Sequence, residues 1–493
     1  MAERTDPSAG PELGFSVEID ADKDLAFAAK RADALVTVRA LADSRVAGEA
    51  PFAEILIMDR SQSMASGGKI GEAKRAAYKA IDAMRDGALL GIIAGNWNSE
   101  LLYPATGRLA RVDANVRKAA KRQVHDLLPY GGTRIGRWLT GAEKLFAATE
   151  SGTVCHAALY TDGHNEHETP EELGQALEAC ADRFVCDVRG LGDDWNYAEL
   201  LRIAEALHGD ARAVVDVADL AEDFTRLIEQ ARRLVVPRAY LGLHLNDRFK
   251  IGFVRQTRPV EADLTAQAQQ QRDGRDVHIP LGSWAPGTRH YHVSLTVDPN
   301  ALPIGQEVRA ARVTVLAEAA DGTREPRSGT APVIVRRLAT TDAPVPRSPG
   351  ITLIERVHEL SMAIRALVNS ALREDFDEAD LELREAIQLA RDLGDTERLR
   401  LLEGLGVVGQ DGALRLNRDV RRGQLNHLGI ESSRTGAIEE GLVDDVGPRS
   451  APVPQPVSRV CPSCGQTTTG MNVKICENCR HRFDDEAAVP WED

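Results

Sequence analysis

Between Ala53 and Leu234, short and almost unbroken apolar runs alternate with segments whose apolar residues recur every three or four positions. A strand that is apolar on both faces must be covered on both, and alternating such strands with helices yields a doubly wound, mostly parallel sheet. The runs are Glu54 to Met58, Ala88 to Ala94, Cys155 to Tyr160, Phe184 to Val188 and Ala211 to Val215. Helical spacing shows in Ile70, Ala73, Ala77, Ile81 and Met84, in Val116, Ala120, Val124 and Leu127, and in a last segment from Val217 to Leu234. Residues 51–235 therefore read as one Rossmann-like α/β domain.

On either side the period changes to two. Leu13, Phe15, Val17 and Ile19 alternate with polar or small residues, and a second extended run covers Leu35 to Ala40. After Pro237 the alternation returns in Leu241, Leu243 and Leu245, in Tyr291, Val293, Leu295 and Val297, in Val313 and Val315, and in Val333 to Val335. A β-sandwich is expected over residues 236–340, with the strands of residues 1–50 joining it and the α/β domain inserted between. The stretch TDAPVPRSPG marks a boundary. Apolar spacing in Ile354, Val357, Leu360, Ile364 and Leu367, then in Leu383, Ala386, Ile387 and Ala390, predicts a helical hairpin over 351–406. Residues 430–458, poor in large apolar groups and rich in proline, read as a flexible linker.

The segment ILIMDRSQSM ends a strand in Asp59 and follows it at once with Ser61 and Ser63. Asp-x-Ser-x-Ser is an oxygen-only donor set, placed where open α/β sheets bind ligands, beyond the carboxyl ends of their strands. GGTRIG supplies Thr133 just before a helix, and YTDGHNE supplies Asp162 at the end of another strand. Such hard donors suit Mg²⁺, which takes about six oxygens and keeps several waters. An Asx turn and helix N-cap is the plainer explanation of Asp-x-Ser-x-Ser alone, and three separately placed matches disfavour it.

With DRSQS, GGT and TDG together, residues 53–234 resemble a von Willebrand factor type A domain carrying a metal-ion-dependent adhesion site. The resemblance implies direct or nearly direct coordination of Mg²⁺, or of Mn²⁺ or Ca²⁺ in its place, by Ser61, Ser63 and Thr133. It implies that Asp59 and Asp162 act mainly through waters, and that a carboxylate from an exposed Asp or Glu of a protein ligand fills the open position. Intracellular bacterial members commonly work beside AAA-type ATPases or Ser/Thr kinases and phosphatases, which implies a similar setting. His164, Glu166, His167 and Glu168, and Gly192 through Asn196, are candidate rim residues that contact the ligand.

Cys461-Pro-Ser-Cys464 and Cys476-Glu-Asn-Cys479 are two Cys-x-x-Cys knuckles separated by eleven residues. Doubled at this spacing they predict tetrahedral Zn²⁺, and residues 459–484 resemble a zinc ribbon, a segment too short for a core of its own. Such ribbons dock proteins or nucleic acids. Arg459, Lys474, Arg480, His481 and Arg482 give a local positive bias, but the acidic tail FDDEAAVPWED offsets it and no aromatics suit base stacking. A second protein partner is the expectation, with DNA or RNA binding through the ribbon as the alternative.

Seventy-five acidic against sixty basic residues give a net charge of −15, which opposes a role in coating nucleic acid or an anionic membrane. MAERTDPSAG has no apolar core of a signal peptide, and no run reaches the roughly 18 apolar residues of a membrane span. A cytoplasmic protein is expected, with Cys155, Cys180 and Cys186 as buried thiols. SGGKIG lacks the full phosphate-loop pattern, and neither Ser61 nor Ser63 sits in G-x-S-x-G. A hydrolase would need a base near the ion, for which His164 is the one candidate. The sequence thus points to a non-enzymatic adaptor or scaffold.

Overall fold

The computed structural model describes residues 14–41, 50–271, 274–319, 321–339, 345–409 and 412–435, together with two short strands further on. The chain divides into two units, Met1–Ile438 and Glu439–Asp493.

Five parallel strands build the central sheet, in the spatial order Ala211–Val214, Val185–Leu191, Val154–Thr161, Phe52–Asp59 and Leu89–Gly95. Every residue of Phe52–Asp59 and of Val154–Thr161 is buried. The pleat sends alternate side chains to opposite faces. Ala53, Ile55 and Ile57 enter one core with Trp138 and Leu139, while Phe52, Leu56 and Met58 enter another with Ala77, Ile81 and Phe224. Helices Ile135–Phe146 and Pro170–Cys180 cover the first face, and Lys69–Ala83 and Leu220–Ala231 the second. Ser99–Tyr103 adds an antiparallel edge that the sequence reading missed. Phe52–Asp59 lies between Val154–Thr161 and Leu89–Gly95, both of which follow it in the chain. The winding therefore reverses at its carboxyl end, which is where such sheets open a crevice.

Two largely antiparallel sheets flank this domain in sequence. Gly14–Ala21, Arg31–Leu41, Gly287–Val297 and Phe249–Arg258 form one. Asp276–Trp284, Val236–Leu245, Glu307–Glu318 and Ala331–Arg337 form the body of the other. Val36, Val38, Leu241, Leu243, Val293, Val313 and Val333 share one core between them. Arg31–Leu41 pairs along most of its length with Gly287–Val297, so the α/β domain is an insertion between partners some 250 residues apart.

The C-terminal part of the first unit differs from the expected hairpin over 351–406. Pro349–Leu372, Phe376–Leu393 and Thr396–Leu405 make three helices, and Arg422–Glu431 a fourth. The second helix stops because Gly394 adopts φ +69°, and Asp395 starts the third by accepting from Arg398 N–H. Their apolar faces do not close on themselves. Leu360, Ile364, Leu425 and Leu428 join the same core as Trp195 and Tyr197 of the α/β domain. The linker expected from residue 430 is also corrected. Ile430, Ser432, Ser433 and Thr435 are buried, and Ser433 carbonyl accepts from Glu261 N–H at 2.6 Å. Residues 436–456 lie outside the described residues.

In the second unit Val457–Val460 pairs antiparallel with Thr467–Gly470. Cys461 and Cys464 fall between these strands in sequence, and all four ribbon cysteines lie outside the described residues. Among the described residues no helix is long and apolar enough to cross a membrane.

Candidate metal centre

Asp59 ends the central strand fully buried. Its Oδ1 accepts from the Ser61 N–H at 2.7 Å and its Oδ2 from Thr161 Oγ1 at 2.5 Å, so both oxygens are committed and the loop cannot swing away. A 3-10 turn, Gln62–Ala65, follows and buries Met64 beneath it. This turn carries Ser63, whose Oγ donates to Asp162 Oδ1 at 2.6 Å and lies 2.9 Å from Ser61 Oγ. Lys69, the first residue of its helix, donates from Nζ to Asp162 Oδ2 at 2.6 Å.

Thr133 arrives on a loop tied down from two sides. Gln62 N–H donates to Gly131 carbonyl at 2.8 Å, and Tyr130 N–H to Arg60 carbonyl at 2.7 Å. Asn165 Oδ1 accepts from Ile135 N–H at 2.9 Å, and Glu168 Oε2 from Gly136 N–H at 2.7 Å. These bonds bring the three sequence segments DRSQS, GGT and TDG to one place. Gly163 shows how closely: a Cβ there would meet Ser63 Oγ at 3.4 Å and Thr133 Oγ1 at 3.5 Å. Hydroxyls from separate loops thus face one small volume, at the base of a cleft lined also by Ser61, His164 and Asp194.

Burial pushes the Asp59 carboxyl up to about 6, against the hydrogen bonds from Thr161 and Ser61, and the Asp162 charge adds to the rise. Two fully buried carboxylates, with one ammonium paired to Asp162, form a site short of positive charge. Three hydroxyls and two carboxylates are hard oxygen donors, with no sulfur or imidazole among them. That donor set fits Mg²⁺, Mn²⁺ or Ca²⁺. Lys69 is a group that a purely local reading of the motif does not foresee.

Several rim expectations are corrected. Trp195 is fully buried, its Nε1 donating to Gly192 carbonyl at 2.8 Å, and Asn196 caps the helix Tyr197–Ala206. The Glu168 carboxylate is buried, holding the Thr133 loop. His164, Glu166 and His167 do line the cleft, joined by Trp97, which is 47% exposed. Thr161, the first residue of TDG, and Asn165 position the site, and Asn165 carries no spacing signal. Cys155, Cys180 and Cys186 are free and buried. Asp33, His292 and Glu355 also converge, but Arg31 pairs with Asp33 and Arg347 with Asp33 and Glu355, which supplies the countercharge there.

Residues 55–213 match the von Willebrand factor type A domain family. The solved structure of a von Willebrand factor type A protein from Catenulispora acidiphila is 31% identical and superposes with a TM-score of 0.81, over 87% of this chain and 98% of that one. The ArnB paralog VWA2 from Sulfolobus acidocaldarius, at 14% identity, shares the fold with a TM-score of 0.51 over 86% of this chain and 99% of its own. No curated protein sequence matches. The class is an α/β sheet with an oxygen-lined crevice at its switch point. The chain belongs to the von Willebrand factor type A family.

Proposed function

We propose that this protein is a non-enzymatic adaptor that holds a divalent cation, Mg²⁺ in the first place, at Ser61, Ser63 and Thr133, with Asp59 and Asp162 behind them, and captures a protein through an exposed Asp or Glu. Domains of this family are in general protein-interaction modules. The observation that carries the reading is the convergence of Ser63 Oγ and Thr133 Oγ1 beside Asp162 at the carboxyl end of the central strand. The bound ion would supply a Lewis-acidic position that a carboxylate completes. Because the hydroxyls are neutral, they leave most of the ion's charge for that carboxylate. Thr161 and the Ser61 amide orient Asp59, and Asn165 and Glu168 hold the Thr133 loop in place. No side chain here is assigned a bond-breaking step.

The doubled Cys-x-x-Cys motif supports a zinc ribbon at Cys461, Cys464, Cys476 and Cys479 that docks a second protein, with nucleic acid as the alternative ligand. A cytoplasmic setting beside a kinase, phosphatase or AAA-type ATPase completes the proposal. Affinity capture from lysate with Mg²⁺ and with chelator tests it. Proteins retained only with Mg²⁺, and lost with Thr133→Ala, support the reading; retention indifferent to both overturns it.

A further inference from the structure

We infer that Lys69 is a built-in competitor for the cation, an internal charge that weakens metal binding and so makes occupancy depend on a carboxylate ligand; this rests on the metal-site reading above. Lys69 Nζ donates to Asp162 Oδ2 at 2.6 Å, its side chain only 13% exposed and that of Asp162 fully buried. The other Asp162 oxygen accepts from Ser63 Oγ, one of the hydroxyls that would face the ion. The ammonium and the ion are therefore served by the same carboxylate. The stem is fixed in place as well: Lys69 opens a helix whose entry is set by Gly67 and Gly68 at φ +62° and +72°, and its Cε passes Gly192 closely enough to meet a Cβ there at 3.5 Å.

Charge counting gives the consequence. With both aspartates ionised the buried groups carry two negative charges, Lys69 cancels one, and a divalent ion then leaves the site with a net positive charge. In a poorly hydrated site like charges repel strongly, so the second cation binds at a cost. An incoming carboxylate removes that excess. Without Lys69 the two aspartates alone would balance the ion, which would bind tightly without a partner and retain less pull on one. The lysine thus couples metal occupancy to ligand capture, two events that must then strengthen one another reciprocally.

The test is calorimetric titration of the full chain with MgCl₂ and MnCl₂ in wild type, Lys69→Gln and Lys69→Arg, with thermal unfolding of each followed in chelator and in excess metal. Lys69→Gln should bind either ion about tenfold or more tightly than wild type. It should unfold at a lower temperature in chelator, where Asp162 is left unpaired, and gain more from metal than wild type does. Lys69→Arg, which keeps the charge, should stay near wild type. If Lys69→Gln is folded and binds metal no more tightly than wild type, the inference is overturned while the metal site stands. Absence of binding by wild type and all variants overturns the metal-site reading itself.

Discussion

At the scale of single residues, the α/β sheet holds an ion triad that no local pattern announces. Glu54, His156 and Asp187 sit on three adjacent strands, the third residue of each, with His156 Nδ1 2.8 Å from Glu54 and Nε2 3.3 Å from Asp187. Burial works against protonation of His156, but Glu54 and Asp187 outweigh it and carry its pKa up to about 10. An imidazole raised in this way stabilises the fold fully below its unfolded value of 6.5 and loses the contribution as pH rises through about 10. Wild-type unfolding free energy should therefore fall across that window relative to His156→Gln, a difference that parallel pH profiles would reveal. At neutral pH His156→Gln should cost about 3 kcal/mol or more, because the Asp187 carboxylate and the Glu54 carboxyl, which burial already pushes up, lose their cation in the interior. Urea unfolding measures it, and a cost below about 1 kcal/mol would contradict a charged triad. Asp59, Ser61 and Ser63 were legible in the sequence because a strand end and a turn fix their spacing locally. Asn165 and Lys69 were not, since their partners come from other segments.

At the scale of elements, the central parallel strands Phe52–Asp59, Leu89–Gly95 and Val154–Thr161 were plain in the sequence because they are largely apolar on both faces, whereas Ser99–Tyr103 is only partly buried and carries no such run. Helix Arg422–Glu431 was missed for a related reason. Its buried face mixes Leu425, Leu428 and Ile430 with small and polar residues: Asn426 donates to Trp195 carbonyl at 2.6 Å, and Gly429 lies against the Tyr197 ring. Residues around 430 look like linker when apolar content alone is weighed. A chain ending at residue 435 should keep full-length stability in its first unit, while one ending at residue 420 exposes the faces of Leu360, Ile364 and Tyr197 and should melt several degrees lower. Equal melting temperatures would mean that the helix adds little. Asn426→Ala should cost about 1–3 kcal/mol by the same measurement, since it strips a buried carbonyl of its donor.

At the scale of the whole molecule, Gly14–Ala21 and Arg31–Leu41 alternate like strands but make only one hairpin, too little sheet to close a core, and the structure pairs them with each other and Arg31–Leu41 with Gly287–Val297 across the α/β domain. How the helices pack was not readable, since an apolar stripe does not say which surface it meets. The two proposed metals belong to different units, so their losses should be separable. Cys461→Ser should abolish stoichiometric zinc, read by elemental analysis, and leave Mg²⁺ titration of the full chain unchanged. Zinc retained at one per chain would refute the ribbon. The most direct test of the whole reading is an anomalous difference map from crystals grown with MnCl₂. A strong peak is expected within about 2.0–2.3 Å of the hydroxyl oxygens of Ser61, Ser63 and Thr133, distinct from any zinc peak at the ribbon cysteines. A map featureless at that position, or a peak held by other residues, would contradict it.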